Sequence, residues 1–157
     1  MRDCVHIKAP IERCFLLSTN QELARRTLGL RVARRRPSRC SGLIMEGERF
    51  ARRNWWLGLP HTHESVVSRC EPPSYLQDTM VRGRFRRLQH EHQFIEIEGH
   101  VLLTATVRFS LPMGRAGRWI GRRLTVPRVS AMLRSRLELL RKVAETDEWK
   151  RYLEECK

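Results

Sequence analysis

Apolar and polar positions along this chain keep two different periods, and the switch between them falls near residue 110. Before the switch, apolar residues mostly alternate with polar ones, the signature of strands with one buried face. Val5-His6-Ile7 is a short alternating stretch that predicts an opening strand. Pro10 then stands at a first-turn position, and Ile11, Cys14, Phe15 and Leu16 predict a helix through about Thr19. Asn20 is placed to cap a second short helix that turns Leu23, Ala24, Thr27 and Leu28 inward and stops at Gly29. Residues 31–41 are Arg-rich and contain Pro37 and Ser38, which predicts a loop or irregular edge. Five strands are predicted next, over 44–57, 62–70, 75–81, 88–97 and 101–110. Gly58-Leu59-Pro60, Glu71-Pro72-Pro73, Gly83 and the hairpin turn Glu98-Gly99 separate them.

After Pro112-Met113-Gly114 the apolar residues fall at Ala116, Trp119, Ile120 and Leu124. Past Pro127 they fall at Val129, Met132, Leu133, Leu137, Leu140, Val143 and Ala144. This 3.6-residue period predicts one long amphipathic helix, or two segments kinked at Pro127. Trp149, Tyr152, Leu153 and Cys156 repeat the spacing, so the tail is read as helical, packing elsewhere on the chain or on a partner. The prediction is an α+β fold: a curled antiparallel sheet of about six strands around a long C-terminal helix, with two short helices after the first strand. Residues 1–145 form this domain and 146–157 a helical tail. A single helix cannot cover both faces of such a sheet, so the sheet curls around it, and a cavity between the two is expected.

The strand parities nominate the lining of that cavity. Leu88, His90, His92 and Phe94 share one face of their strand. Leu76, Asp78 and Met80 share one on the strand before it, and Leu103, Ala105, Val107 and Phe109 one on the strand after. On the first strand of the meander the even set, Phe50, Arg52, Asn54 and Trp56, is read as inward. The wall is therefore partly polar: Arg52, Asn54, Asp78, His90 and His92, with His63 a further candidate. Two readings of that set stand side by side. It either orients a largely apolar ligand or supplies an acid–base pair, or else it is a hydrogen-bond network bracing the sheet.

Composition then narrows the classes. The chain has 157 residues, a length that suits one domain. Hydrophobic residues make up 41%, enough for a core and too many for a disordered chain. No apolar run approaches the roughly 20 residues needed to span a bilayer, and the N-terminus has no apolar secretory segment, so a cytoplasmic location is expected. The five cysteines are odd in number, widely spaced and without a Cys-x-x-Cys pair, and they are read as reduced thiols. Cys4, Cys14 and Cys70 are expected as small core residues. His90-x-His92 has metal-like spacing on a strand, but a third ligand at convincing spacing is missing, so neither a metal nor a cofactor is expected. No Gly-x-Ser-x-Gly stands in the chain, and nucleophilic catalysis gets no support.

The net charge of +14 is concentrated. Residues 25–53 carry ten basic and two acidic side chains, and residues 113–144 nine basic and one acidic. A weak, salt-sensitive contact with nucleic acid or an anionic membrane is therefore expected, without sequence recognition, because no base-reading motif is present. The competing reading is a genomic bias toward Arg codons and a solvated helix face.

Ala9-Pro10-Ile11-Glu12-Arg13-Cys14-Phe15 after the first strand, with this element order, resembles the START-like superfamily of polyketide cyclases, dehydrases and lipid-transport proteins (SRPBCC), which has the helix-grip fold. Gly47-Glu48-Arg49-Phe50, Glu71-Pro72-Pro73, Val81-Arg82-Gly83-x-Phe85 and His90-Glu91-His92-x-Phe94 are similar to a bacterial ligand-binding subfamily. The resemblance spans roughly residues 3–145. It implies binding of a small hydrophobic ligand: a lipid, an isoprenoid quinone or a polyketide-like aromatic. The residues expected at that ligand are Phe50, Arg52, Asn54, Trp56, Asp78, Met80, His90, His92, Leu103, Val107, Trp119 and Leu133. Two alternatives are a cyclase or dehydratase using Asp78 with His90 or His92, and a basic interaction protein for RNA, ribosome or anionic membrane. The resemblance also implies an inward acidic residue where Ala105 stands, a departure that counts against catalysis. The pattern leaves the oligomeric state open.

Overall fold

The computed structural model describes residues 1–28, 31–33, 45–56 and 59–153. Strand β1 (Arg2–Ile7) is followed by helices α1 (Ile11–Thr19) and α2 (Gln21–Leu28). Next come β2 (Arg31–Ala33), β3 (Arg49–Trp56), β4 (Leu59–Glu71), β5 (Tyr75–Arg82), β6 (Arg87–Ile97) and β7 (His100–Ser110). Helix α3 (Gly114–Ile120) runs through a π-helical segment (Gly121–Thr125) into α4 (Val126–Glu145), and α5 (Glu148–Leu153) closes the chain. The strands form one curled sheet in the order β1-β7-β6-β5-β4-β3-β2, every neighbouring pair antiparallel. Consecutive hairpins explain most of that order, and β1 returns beside β7 as the far edge. The seventh strand, β2, falls at the start of the Arg-rich stretch predicted as a loop. Three residues pair there with β3.

Local chemistry sets the element ends. The Asn20 side chain accepts the backbone N–H groups of Glu22 and Leu23, the capping that starts α2. At the β6–β7 hairpin both central residues have positive φ, 49° at Glu98 and 77° at Gly99, which is the twist a two-residue turn demands. Residues 45–48, predicted as strand, are instead a turn through Gly47 at φ 80°, and β3 begins only at Arg49. In β4 the register slips between Val67 and Arg69. Inward parity passes there from Val67 to Cys70, leaving Arg69 exposed.

The long helix is neither straight nor simply kinked. Pro127 has no N–H to donate, and its ring would crowd the carbonyl four residues back. The chain answers with the π segment directly before it, where the Val126 N–H reaches the Gly121 carbonyl five residues away. Buried positions through this stretch fall four residues apart at Gly117, Gly121 and Thr125, and the next two on that spacing are half-buried Val129 and buried Leu133. Beyond it the buried face is Leu133, Arg136, Leu137, Leu140, Val143 and Ala144. That face packs on Val5, Ile7, Phe15, Leu17, Phe94, Val101, Leu103 and Ala105 in one core. Gly117 lets α3 start close against the connection from β7, since a Cβ there would collide with the Pro112 carbonyl oxygen.

Tail helix α5 folds back onto this core. Tyr152 is buried, its carbonyl accepts the Asn20 side-chain amide at 3.0 Å, and Arg13 lies over the Trp149 ring at 4.4 Å. Among the described residues no helix is long and apolar enough to cross a membrane.

Candidate functional site

Antiparallel register brings the polar residues of the inner face into adjoining rows, because directly opposed residues share a face. Val67, Asp78, His90 and Val107 face one another across β4, β5, β6 and β7. One row along, Leu76, His92 and Ala105 are opposed. Ser65 lies between Phe50 and Met80. His63 is the cross-strand partner of Arg52, and a Cβ at Gly83 would press on its side chain. His63, Ser65, Asp78, His90 and His92 are all buried. Five polar side chains on one strongly apolar face are a costly arrangement unless they meet polar partners.

Three of them form a chain. Asp78 Oδ1 lies 3.4 Å from His90 Nδ1, and His90 Nε2 lies 3.0 Å from His92 Nε2. The two rings meet edge to face with centroids 4.3 Å apart, and His92 stacks on Phe94. Phe94 in turn meets Phe15 of α1 edge-on at 5.7 Å. The relay therefore starts at a carboxylate and ends against aromatic core. Ala105, opposite His92, brings no second acid to it.

Ser65 is a residue that sequence reasoning does not single out, although it shares the odd parity of His63 on β4. Its hydroxyl is buried and has no hydrogen-bond partner among the described residues. The same is true of Thr125 in the π segment. A buried hydroxyl without a partner costs about 1–3 kcal/mol.

Of the predicted lining, Phe50, Asp78, His90, His92, Leu103, Val107 and Leu133 are buried, and Met80 is half-buried. Arg52, Asn54 and Trp56 alternate with Phe50 along β3, but their side chains lie outside the described residues. Trp119 is a correction. It is 64% exposed, on the outer side of α3, and Leu124 and Met132 are also exposed. A uniform helical period does not hold through the π segment, so the apolar stripe of α4 does not extend back to Trp119. Arg136 is the converse: a charged residue that is buried, its guanidinium donating to the Ser18 carbonyl at 3.2 Å.

The cysteines divide as well. Cys4, expected in the core, is exposed. Cys14 is buried beside the Ala9 carbonyl, and burial pushes its thiol up to about 12. Cys70 is intermediate, and its thiol is also raised by burial. All three are free thiols. Among the described residues no three His, Cys, Asp or Glu side chains converge as a metal site. His90 and His92 turn their Nε2 atoms toward each other.

The chain matches no protein-family model, and no curated protein matches it in sequence. Solved structures do share its fold. A protein from Thermus thermophilus has a TM-score of 0.66 at 18% identity, over 90% of this chain and 94% of that one. The di-domain ARO/CYC StfQ from the steffimycin biosynthetic pathway has a TM-score of 0.68 at 16% identity, over 92% of this chain and 50% of that one. A START superfamily protein from Mycobacterium smegmatis has a TM-score of 0.58 at 11% identity, over 89% of this chain and 97% of that one. At such identities the likeness establishes the fold alone, a helix-grip arrangement.

Proposed function

We propose that the protein binds a small, largely apolar ligand bearing an oxygen function, held between the concave sheet face and the long helix. The observation that carries this is the buried hydroxyl of Ser65, without a partner among the described residues and set on the same face as His63, Asp78, His90 and His92. A group built only to brace the sheet would be expected to satisfy itself within the chain. The same sheet face carries Phe50, Val67, Leu76, Phe94, Leu103 and Val107, which suit an apolar body. A carbonyl or hydroxyl of the ligand would meet Ser65 or a histidine. Lipid, isoprenoid quinone and polyketide-like aromatic all fit this chemistry. The aromatic stack of His92 on Phe94 favours a planar ligand. The solved neighbour from steffimycin biosynthesis is consistent with that choice.

The test is native mass spectrometry of protein purified without added ligand, repeated for Ser65→Val. A co-purifying molecule of a few hundred daltons, weakened or lost in the variant, supports the reading. Bare protein that binds no quinone or aromatic polyketide in titration sinks it.

One observation favours a second reading. The Asp78–His90–His92 chain can hold a proton at a defined nitrogen, which is what a cyclase or dehydratase requires of its acid–base group. That reading needs turnover that His90→Phe abolishes while ligand still binds.

A further inference from the structure

Surface arginines of this protein are often engaged. Arg26, Arg69, Arg108, Arg134 and Arg141 each contact a carboxylate. Others are not, and four of those stand together. Arg115, Arg118, Arg122 and Arg123 line an open groove of about 370 Å³ around Trp119. Arg115, Arg122 and Arg123 stand four before, three after and four after it and so share its exposed helical face, and Arg118 lines the groove beside them. Among the described residues none of the four has a carboxylate partner. The reason is in the sequence: residues 99–137 contain no Asp or Glu.

The same stretch gathers exposed apolar side chains. Met113, Trp119, Leu124 and Met132 are large, apolar and exposed. Singly they would mean nothing, but Trp119 stands among the four guanidiniums of the groove, with Met113 at the N-cap of its helix and Leu124 in the π segment that follows. The π segment turns this face away from the core, and the close seat of Gly117 on Pro112 holds it there. Tryptophan with arginines and aliphatic side chains is the composition of a helix lying in a membrane interface. Nucleic acid fits less well. Guanidiniums would serve it equally, but Met113, Leu124 and Met132 offer no stacking platform for bases.

We propose that α3 and the π segment seat the protein on a bilayer surface rich in anionic phospholipid. Trp119, Met113 and Leu124 enter the headgroup region, and Arg115, Arg118, Arg122 and Arg123 meet the lipid phosphates. This docking face is separate from the concave site and stands whether or not that site binds a ligand.

The experiment is flotation of the full chain with phosphatidylcholine vesicles, with or without phosphatidylglycerol. Phosphatidylglycerol-dependent binding is expected, falling as salt rises. Each arginine removed should weaken it about fivefold, so Arg118→Gln with Arg122→Gln should cost about 25-fold. Trp119→Ala should weaken binding at unchanged net charge. Arg84→Gln with Arg86→Gln, exposed and outside the groove, removes the same charge as a control. All these side chains are exposed, so circular-dichroism melts should match the parent. Three results would overturn the proposal: no flotation with phosphatidylglycerol, equal loss in the control pair, or an RNA oligomer that displaces the vesicles and binds Trp119→Ala as well as the parent.

Discussion

His90 and His92 meet Nε2 to Nε2 at 3.0 Å, so of the two facing nitrogens one must carry a proton and the other must not. Asp78 lies on the other side of His90 at 3.4 Å and favours a proton on His90 Nδ1. With both rings neutral, His90 then presents a bare Nε2, and His92 donates to it. The carboxylate thereby sets the tautomer of a second ring, His92, through the first.

The expected outcome is direct. Long-range nitrogen–proton NMR should find His90 as the Nδ1–H form and His92 as the Nε2–H form at a pH where both are neutral. Asp78→Leu should remove the preference and give mixed tautomers on both rings. The opposite assignment in the parent protein would show that Asp78 does not govern the pair.

The same rows show how far the chain can be read without coordinates. Strands β5, β6 and β7 are legible because alternation holds over most of their length, so Asp78, His90, His92, Leu103 and Val107 fall on the buried face as expected. The Asn20 cap and the Glu98-Gly99 turn carry their own local chemistry. The π segment carries none. Trp119 and Leu133 are fourteen residues apart, nearly four ideal turns, so a uniform helix puts both on one face. The widened turn before Pro127 rotates one part of the helix against the other, and Trp119 emerges outside. Arg136 sits on the apolar stripe between Leu133 and Leu140, but its charge disguises it. Ser65 is legible by parity, yet a serine signals nothing by itself.

Gly117 should tolerate no side chain. A Cβ would collide with the Pro112 carbonyl, which is backbone and cannot swing away. Gly117→Ala is expected to destabilise by about 1–3 kcal/mol. Gly121→Ala, whose Cβ would make only an ordinary 3.6 Å contact with Leu111, should melt close to the parent. Equal melting of all three proteins would contradict the close approach of α3 to the Pro112 carbonyl.

Glu98 holds φ 49°, a left-handed conformation that asparagine adopts more readily than glutamate. Glu98→Asn creates the favoured Asn-Gly pair for a two-residue hairpin. A gain of about 0.5–1 kcal/mol is expected in urea titration, with the slope unchanged. A loss would show that the Glu98 side chain makes a contribution the turn geometry does not reveal.

The thiols make the last prediction. Burial holds the Cys14 thiol in its neutral form, moving it from 9.0 to about 12. The folded state therefore keeps its proton at a pH where the unfolded chain has lost it. The stabilisation is fully present below pH 9.0 and is lost as pH rises toward about 12. In a variant retaining only Cys14, a disulfide reagent at about pH 8 should react at the rate of global unfolding, because thiolate and access are both missing in the native state. A variant retaining only Cys4, which is exposed, should react at once and without dependence on denaturant. Prompt labelling of Cys14 in the native protein would mean that α1 opens locally, and would place the contact of Phe15 with Phe94 at the unstable end of the fold.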